Sequence, residues 1–142
     1  MTEVRPAICF RRVLPALPGD VFAAWTNPDS LKEWMCPDTT TVAEAQLDVR
    51  LGGRFRIVMR TANRDIVHTG EYREIRPPER LVFTWRSIGT HDEETLVTVE
   101  LRPHGEQTEL ILTHEHLPDE SARTSHSHGW QSILEKLAAA LR

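Results

Sequence analysis

Four of the chain's seven histidines stand in two His-x-His pairs, His114 with His116 and His126 with His128. Such pairs are typical of zinc sites, because imidazole is a common zinc ligand. The first pair lies in a segment with the two-residue period of a strand, and the second in a segment with the period of a helix. Positions two apart on a helix point about 200° away from each other, so His126 and His128 cannot face one ion. The sequence therefore predicts no metal site.

The pair that can meet is His114 with His126. Each lies about 10–13 Å along the chain from the turn at Pro118, by the rises of a strand and a helix. At the wall of a pocket, the two rings would hydrogen-bond a ligand or exchange protons, because histidine changes its charge near neutral pH. The alternative is a core histidine near a helix start whose hydrogen bonds are all made within the protein. The spacing alone leaves both interpretations open.

A set of large apolar side chains points toward the same interior, by strand parity or by position on a helix face. The set comprises Phe55, Met59, Phe83, Trp85 and Trp130. We expect most of these side chains to be core residues that contact no ligand. Together they predict that any pocket is apolar and lined by aromatic rings. Trp34 and Met35 follow a short helical segment, and we expect them at the entrance of the pocket.

Other chemical signatures are missing from the sequence. Cys9 and Cys36 lie far apart without a Cys-x-x-Cys motif, which favours reduced thiols over a disulfide. Cys36 has no histidine nearby in sequence to activate it as a nucleophile. The sequence has no glycine-rich phosphate loop, no Gly-x-Ser-x-Gly and no His-Glu-x-x-His. We therefore expect no cofactor.

The element that must position these residues is a long helix predicted from Asp119 to Arg142. Asp119 or Ser121 can cap its start, and its length would be about 30 Å. An amphipathic helix of this length needs an apolar surface, and a curved sheet is the available one. The predicted buried face consists of Ala122, His126, Gly129, Trp130, Ile133, Leu137, Ala140 and Leu141.

The pattern in the rest of the chain predicts one strand, two short helices and about six further strands. The first strand spans 7–14 and the two helices lie within 18–35; from residue 40 to residue 117 the apolar period is near two. The connections are short, so neighbouring strands should pair antiparallel. This order predicts an α+β fold in which a curved antiparallel sheet of six to seven strands wraps around the C-terminal helix. Such a wrap leaves a pocket between sheet and helix.

Composition excludes several classes of function. The chain has 142 residues, 39% hydrophobic and 27% charged, and we expect it to form one domain over residues 1–142. Its net charge of −4 provides no basic surface for nucleic acid. Its apolar runs are too short to span a bilayer, and its first residues lack an apolar signal core. We therefore expect a cytosolic protein without membrane insertion.

Motifs that match a known family are spread along the chain, in segments 48–55, 70–85, 97–99, 108–110, 114–118 and 126–130. These segments resemble those of the START-like superfamily (Bet v 1-like, SRPBCC) of helix-grip folds. More narrowly, the sequence resembles the family named for the C-terminal domain of the activator of heat-shock protein 90 ATPase. At 34–37, Met35 and Cys36 depart from the Trp-Gly that is usual in this family.

The resemblance implies the fold more firmly than any one function, because the superfamily includes lipid carriers, hormone receptors, polyketide cyclases and aromatases. The favoured hypothesis is a protein that binds a small apolar or lipid-like ligand, with polar contacts from His114 and His126. One alternative is a cyclase or hydrolase that uses a pocket histidine as its acid–base group. Another is a regulator of the heat-shock protein 90 ATPase acting through its surface.

The scarcity of acid–base pairs on inward faces favours binding over catalysis, and the lack of a second domain like that of the larger co-chaperone disfavours the regulator. A homodimer through a sheet edge or the helix surface stays open.

Overall fold

The computed structural model describes residues 7–142, which form seven strands, three α-helices and one 3₁₀ turn. The strands are β1 (Ile8–Leu14), β2 (Thr41–Leu47), β3 (Arg54–Arg60), β4 (Asp65–Arg76), β5 (Arg80–Trp85), β6 (Thr95–His104) and β7 (Gln107–Glu115). The helices are α1 (Pro18–Thr26), α2 (Pro28–Trp34) and α3 (Glu120–Ala140), and the 3₁₀ turn is Ile88–Thr90.

All seven strands form one antiparallel sheet in the order β1-β7-β6-β5-β4-β3-β2. Sequential strands pair as a meander from β2 to β7, and β1 adds to the far side of β7, so β1 and β2 are the two edges. The sheet curls into a half-barrel around α3. The predicted helix-grip fold is therefore confirmed, with the two short helices after the first strand.

Strand β4 changes partner along its length. Its first half pairs with β3, its second half pairs with β5, and a single bridge from Thr69 to Arg86 joins the first half to the β5 side. At the change of partner the chain passes Gly70 and then a bulge between Tyr72 and Glu74. A Cβ atom on Gly70 would lie 2.0 Å from the Thr84 carbonyl oxygen, so only glycine fits this close approach.

Helix α3 begins where the sequence predicts, because the Asp119 side chain accepts a hydrogen bond of 2.8 Å from the Ala122 amide. Its buried face differs in detail from the predicted one: Ala140 is exposed, whereas Leu134 and Ala138 are buried. The reason is that α3 also packs on α2 and β1, which widens its buried face. His116 was predicted to share a strand face with His114, but β7 ends one residue earlier and His116 is exposed with φ +68°.

The short helices close one end of the half-barrel. Asn27 caps α2 by accepting hydrogen bonds from the amides of Asp29 and Ser30, and Pro28 occupies the first turn, where its missing N–H costs nothing. Asp38, in the loop after α2, makes two hydrogen bonds to α3. Its amide donates a hydrogen bond of 2.8 Å to Ser132 Oγ, and its carboxylate lies 2.9 Å from His128 Nε2.

Candidate functional site

A cavity of about 360 Å³ lies between the concave face of the sheet and α3. Strands β3 to β5 provide one wall, α3 provides the other, and the 3₁₀ turn and two loops form the rim. The lining is Pro37, Thr40, Met59, Thr61, Arg64, Ile66, His68, Trp85, Ser87, Ile88, Gly89, Ser125, His126, Gly129, Trp130 and Ile133. The cavity therefore brings together polar and aromatic side chains from elements far apart in sequence.

The base of the cavity is aromatic. Trp85 from β5 and Trp130 from α3 are each 2% exposed, and their ring centroids are 5.5 Å apart. The His68 ring lies against Trp85 with a centroid distance of 4.8 Å and an interplanar angle of 36°. Flat apolar ring faces of this kind favour planar, apolar ligands, since aromatic pairs gain from stacked and edge-on contacts.

His114 is buried behind Trp130 and does not line the cavity. Its Nδ1 accepts a hydrogen bond of 3.0 Å from the Trp130 indole N–H, and its Nε2 lies 2.7 Å from the Thr95 hydroxyl. That hydroxyl donates its proton to the Trp85 carbonyl, so it accepts from Nε2–H of His114. Burial, with a smaller effect from His126, lowers the pKa of His114 to about 3. The neutral His114 thus holds Trp130 in place, with no nitrogen left for a ligand.

His126 reaches the cavity, and one hydrogen bond sets its orientation. Its Nδ1 donates to the Ala122 carbonyl at 2.8 Å. No partner for Nε2 occurs within 7–142, and this edge of the ring faces Gly89: a Cβ atom built on that glycine would lie 3.3 Å from Cε1. Burial lowers the pKa of His126, against the opposing effect of the Ala122 carbonyl. The neutral ring therefore presents the lone pair of Nε2 as a hydrogen-bond acceptor.

His68 is a buried polar residue of the cavity that sequence reasoning missed. It is 8% exposed, and its Nδ1 is buried without a hydrogen-bond partner in the described part of the chain. Burial lowers its pKa to about 4, outweighing the nearby carbonyl groups of Ile57 and Ile66. Strand parity with Ile66 and Tyr72 was the available signal, because alternate residues of β4 share the concave face.

The family model for Activator of Hsp90 ATPase homolog 1-like proteins (AHSA1) matches residues 15–142. The chain belongs to this family. Solved structures agree with the assignment: a Chromobacterium violaceum protein is 27% identical, with a TM-score of 0.88 and coverage of 95% of this chain and 96% of that one. The AHSA1 protein of Silicibacter pomeroyi is 28% identical, with a TM-score of 0.83 and coverage of 96% and 97%. No curated protein sequence is significantly similar to the chain.

In this AHSA1 protein, the other predicted site residues lie deeper than the cavity. Trp34 and Met35 are 0% and 1% exposed, so they do not form the entrance that the sequence suggested. The reason is that α2 packs inward, with Trp34 edge-on to Trp25 at 4.7 Å. Phe55 and Phe83 meet edge-on at 5.5 Å in the core. Of the predicted residues, Met59, Trp85, His126 and Trp130 line the cavity.

The prediction that His114 and His126 lie close together is confirmed, because their ring centroids are 5.1 Å apart in an edge-on arrangement. Metal chemistry has no obvious site: residues 7–142 contain no cluster of three or more His, Cys, Asp or Glu side chains placed to hold an ion. His128 turns outward to Asp38, away from His126. Within the same range, no helix is long and apolar enough to cross a membrane.

A wider groove of about 570 Å³ lies on the opposite, outward face of the sheet. Half of its ten lining residues are charged, and some of these are paired, for example Arg56 with Glu44 at 2.7 Å. Arg73 likewise contacts Glu71 at 3.2 Å and Glu94 at 3.4 Å. Exposed pairs of this kind contribute little free energy. The inner cavity, with its aromatic base and the imidazoles of His68 and His126, is the better candidate site.

Proposed function

We propose that this AHSA1 protein binds a small, largely apolar, aromatic molecule in the cavity between the sheet and α3. The observation that carries the proposal is the combination of two indole rings at the base, 5.5 Å apart, with the His126 imidazole, whose Nε2 has no partner within residues 7–142. Ligand sites are typically concave, mostly apolar and provided with a few convergent polar groups. The volume of about 360 Å³ lies in the range of small-molecule sites.

The family description names a different activity, the activation of the Hsp90 ATPase. An activator of that kind works through contacts of its outer surface with a partner protein. The chemically distinctive groups of this chain instead face inward, where a folded partner cannot reach them. This geometry favours ligand binding over the interaction hypothesis.

His114 has a supporting part in this proposal and makes no direct ligand contact. Its bond to the Trp130 indole fixes one wall of the cavity, and its bond to Thr95 ties that wall to β6. Because both nitrogens are occupied, replacing His114 should change ligand affinity only through the orientation of Trp130. His126 is the histidine expected to touch the ligand.

The first test is native mass spectrometry on gently purified protein, which detects a co-purifying molecule of low mass. A titration with the fluorescent probe N-phenyl-1-naphthylamine follows, with enhanced emission expected at one probe per chain. Gly129 offers a sharp variant, because a Cβ atom there meets nothing within 4 Å and the residue lines the cavity. Gly129→Leu should fill the space and abolish probe binding.

The matched control is Gln131→Leu, which places the same side chain on the exposed face of α3. Probe binding should be unchanged in this variant. Equal binding by the wild type and Gly129→Leu would show that the probe sits elsewhere, and would refute the cavity as the site.

A further inference from the structure

Of the described residues that line the inner cavity, Arg64 is the one with a permanent charge. Within residues 7–142 the lining contains no Asp, Glu or Lys side chain, and lowered pKa values keep His68 and His126 neutral near pH 7. The other polar side chains of the lining are the hydroxyl groups of Thr40, Thr61, Ser87 and Ser125. An otherwise neutral cavity therefore carries one positive charge.

The pairing of β3 with β4 directs Arg64 toward the concave face of the sheet. The Thr61 amide donates a hydrogen bond of 2.9 Å to the Arg64 carbonyl, which extends this pairing by one step beyond Asp65. Alternate residues of a strand share a face, so Arg64 lies on the same side as Ile66 and His68, which also line the cavity. The Thr61 hydroxyl holds the turn, because it donates to the Arg64 carbonyl at 2.8 Å and accepts from the Arg64 amide at 3.0 Å. The backbone of Arg64 is therefore fixed at one end of the cavity.

The neighbouring carboxylate does not neutralise Arg64. Both oxygens of Asp65 are bonded to the Arg60 guanidinium, at 3.0 and 3.3 Å, on the opposite face of the sheet. Among the described residues, no acidic side chain forms an ion pair with Arg64. The charge of Arg64 is therefore available to an anionic ligand.

Along the concave face, the cavity changes from aromatic to charged. His68, which lies against Trp85, and Arg64 are four residues apart, which corresponds to about 13 Å at the rise of a strand. Ile66 lies between them and pairs with Met59 of β3. A ligand that follows this direction would place an apolar ring against Ile66 and Met59 and a negative group at Arg64.

The remaining nitrogens of the cavity offer no second position for an anion. Nε1 of Trp85 and Nδ1 of His68 have no partner in the described chain, but both atoms are buried beyond the reach of a ligand. His126 Nε2 carries a lone pair, because Nδ1 donates to the Ala122 carbonyl, and this lone pair would repel a carboxylate oxygen. Arg64, by contrast, has five N–H donors in a planar fork that matches the two oxygens of a carboxylate.

We propose that the cavity binds an aromatic monocarboxylic acid, with its carboxylate on Arg64 and its ring against the apolar side chains between Arg64 and Trp85. This inference rests on the proposed function and names the class of ligand that the same site takes. A ligand cation would find no charge partner in the described lining. A neutral aromatic molecule would leave the charge of Arg64 unused.

The test compares 2-naphthoate with 2-naphthamide by isothermal titration calorimetry at low ionic strength. The two probes have nearly the same shape, and only the first is charged, because a carboxylic acid with a pKa of about 4 is ionised at about pH 7. 2-Naphthoate should bind the wild-type chain roughly fivefold more tightly, the effect expected for a bidentate ion pair at a partly exposed position. This comparison needs no variant to fold.

Two variants assign the effect to Arg64. Arg64→Gln should abolish the preference for 2-naphthoate, and Arg64→Glu should reverse it, since a carboxylate at this position repels the charged probe. Arg64 is exposed, so neither change disturbs the core. The matched control is Arg54→Gln, which should keep the preference, because Arg54 is also exposed but lines the groove on the outward face.

The outcomes separate this inference from the proposed function. Equal or tighter binding of 2-naphthamide by the wild type overturns the recognition of a carboxylate and leaves the binding of neutral aromatic molecules intact. A preference for 2-naphthoate that survives in both Arg64→Gln and Arg64→Glu also overturns it. Binding of N-phenyl-1-naphthylamine without binding of either naphthalene probe overturns this inference alone. The absence of binding by all three probes overturns it together with the proposed function.

Discussion

Acidification from about pH 8 to about pH 5 should destabilise the protein by about 4 kcal/mol through His68 and His114. Burial lowers their pKa values to about 4 and about 3, whereas an unfolded histidine has a pKa of about 6.5. Above pH 6.5 both states are neutral at these positions. Below pH 6.5 these two histidines bind protons in the unfolded chain but stay neutral in the folded chain, so the free energy of unfolding falls as the pH falls.

The magnitude follows from proton linkage. Each pH unit between the folded and unfolded pKa values changes the free energy of unfolding by about 1.4 kcal/mol per histidine. At pH 5, about 1.5 units below the unfolded pKa, each residue costs about 2 kcal/mol. His126, whose pKa is also lowered by burial, acts in the same direction. A loss of this size is a large part of the roughly 5–15 kcal/mol that stabilises a typical domain.

The assay is urea unfolding followed by circular dichroism at the two pH values. His114→Gln and His68→Gln should each remove about 2 kcal/mol of the pH-dependent loss, whatever their stability at pH 8. Asp119, whose pKa is lowered by the hydrogen bond from the Ala122 amide, stays ionised across this window. His104→Gln, at an exposed site, is the control. A pH-dependent loss that is the same in wild type and both buried-site variants would refute the reasoning.

Three further predictions concern stability, each measured as a change in the urea midpoint. Gly70→Ala should cost at least about 1–3 kcal/mol, because the new methyl group would overlap the Thr84 carbonyl; an unchanged midpoint would mean that β4 and β5 separate freely there. Trp130→Ala should cost about 3–5 kcal/mol, since the ring is buried and bonded to His114; a loss under 1 kcal/mol would contradict its place in the core. Asp119→Ala should cost about 1 kcal/mol through the lost helix cap, and Asp119→Asn, which still accepts from the Ala122 amide, should restore most of it.

Sequence patterns predict the fold of this chain well, because both kinds of element have clear periods. The alternation from residue 40 onward reflects one face on the core and one in solvent. The short turns then leave an antiparallel meander as the simple arrangement. The closeness of His114 and His126 follows from their similar distances to the turn at Pro118. That argument needs only the rise per residue of a strand and of a helix.

The site is less predictable, because it depends on packing between residues far apart in sequence. The inward position of Trp34 depends on how α2 docks against Trp25, and the strand period carries no information about that. His116 leaves the strand through a positive φ angle, which interrupts an otherwise regular alternation. His68 was detectable by parity, but its significance depends on the missing partner of Nδ1, and only a three-dimensional arrangement reveals that.

The four tryptophans of this chain also form one optical unit. Successive ring centroids lie 4.7 Å apart from Trp34 to Trp25, 6.4 Å from Trp25 to Trp130 and 5.5 Å from Trp130 to Trp85. Chromophores this close share their excitation, so the energy absorbed by Trp25 and Trp34 at the small helices is shared with Trp130 and Trp85, which line the cavity. Occupancy of the cavity should therefore alter the emission and the exciton couplet of all four indoles together. The protein contains its own spectroscopic reporter, which needs no added label.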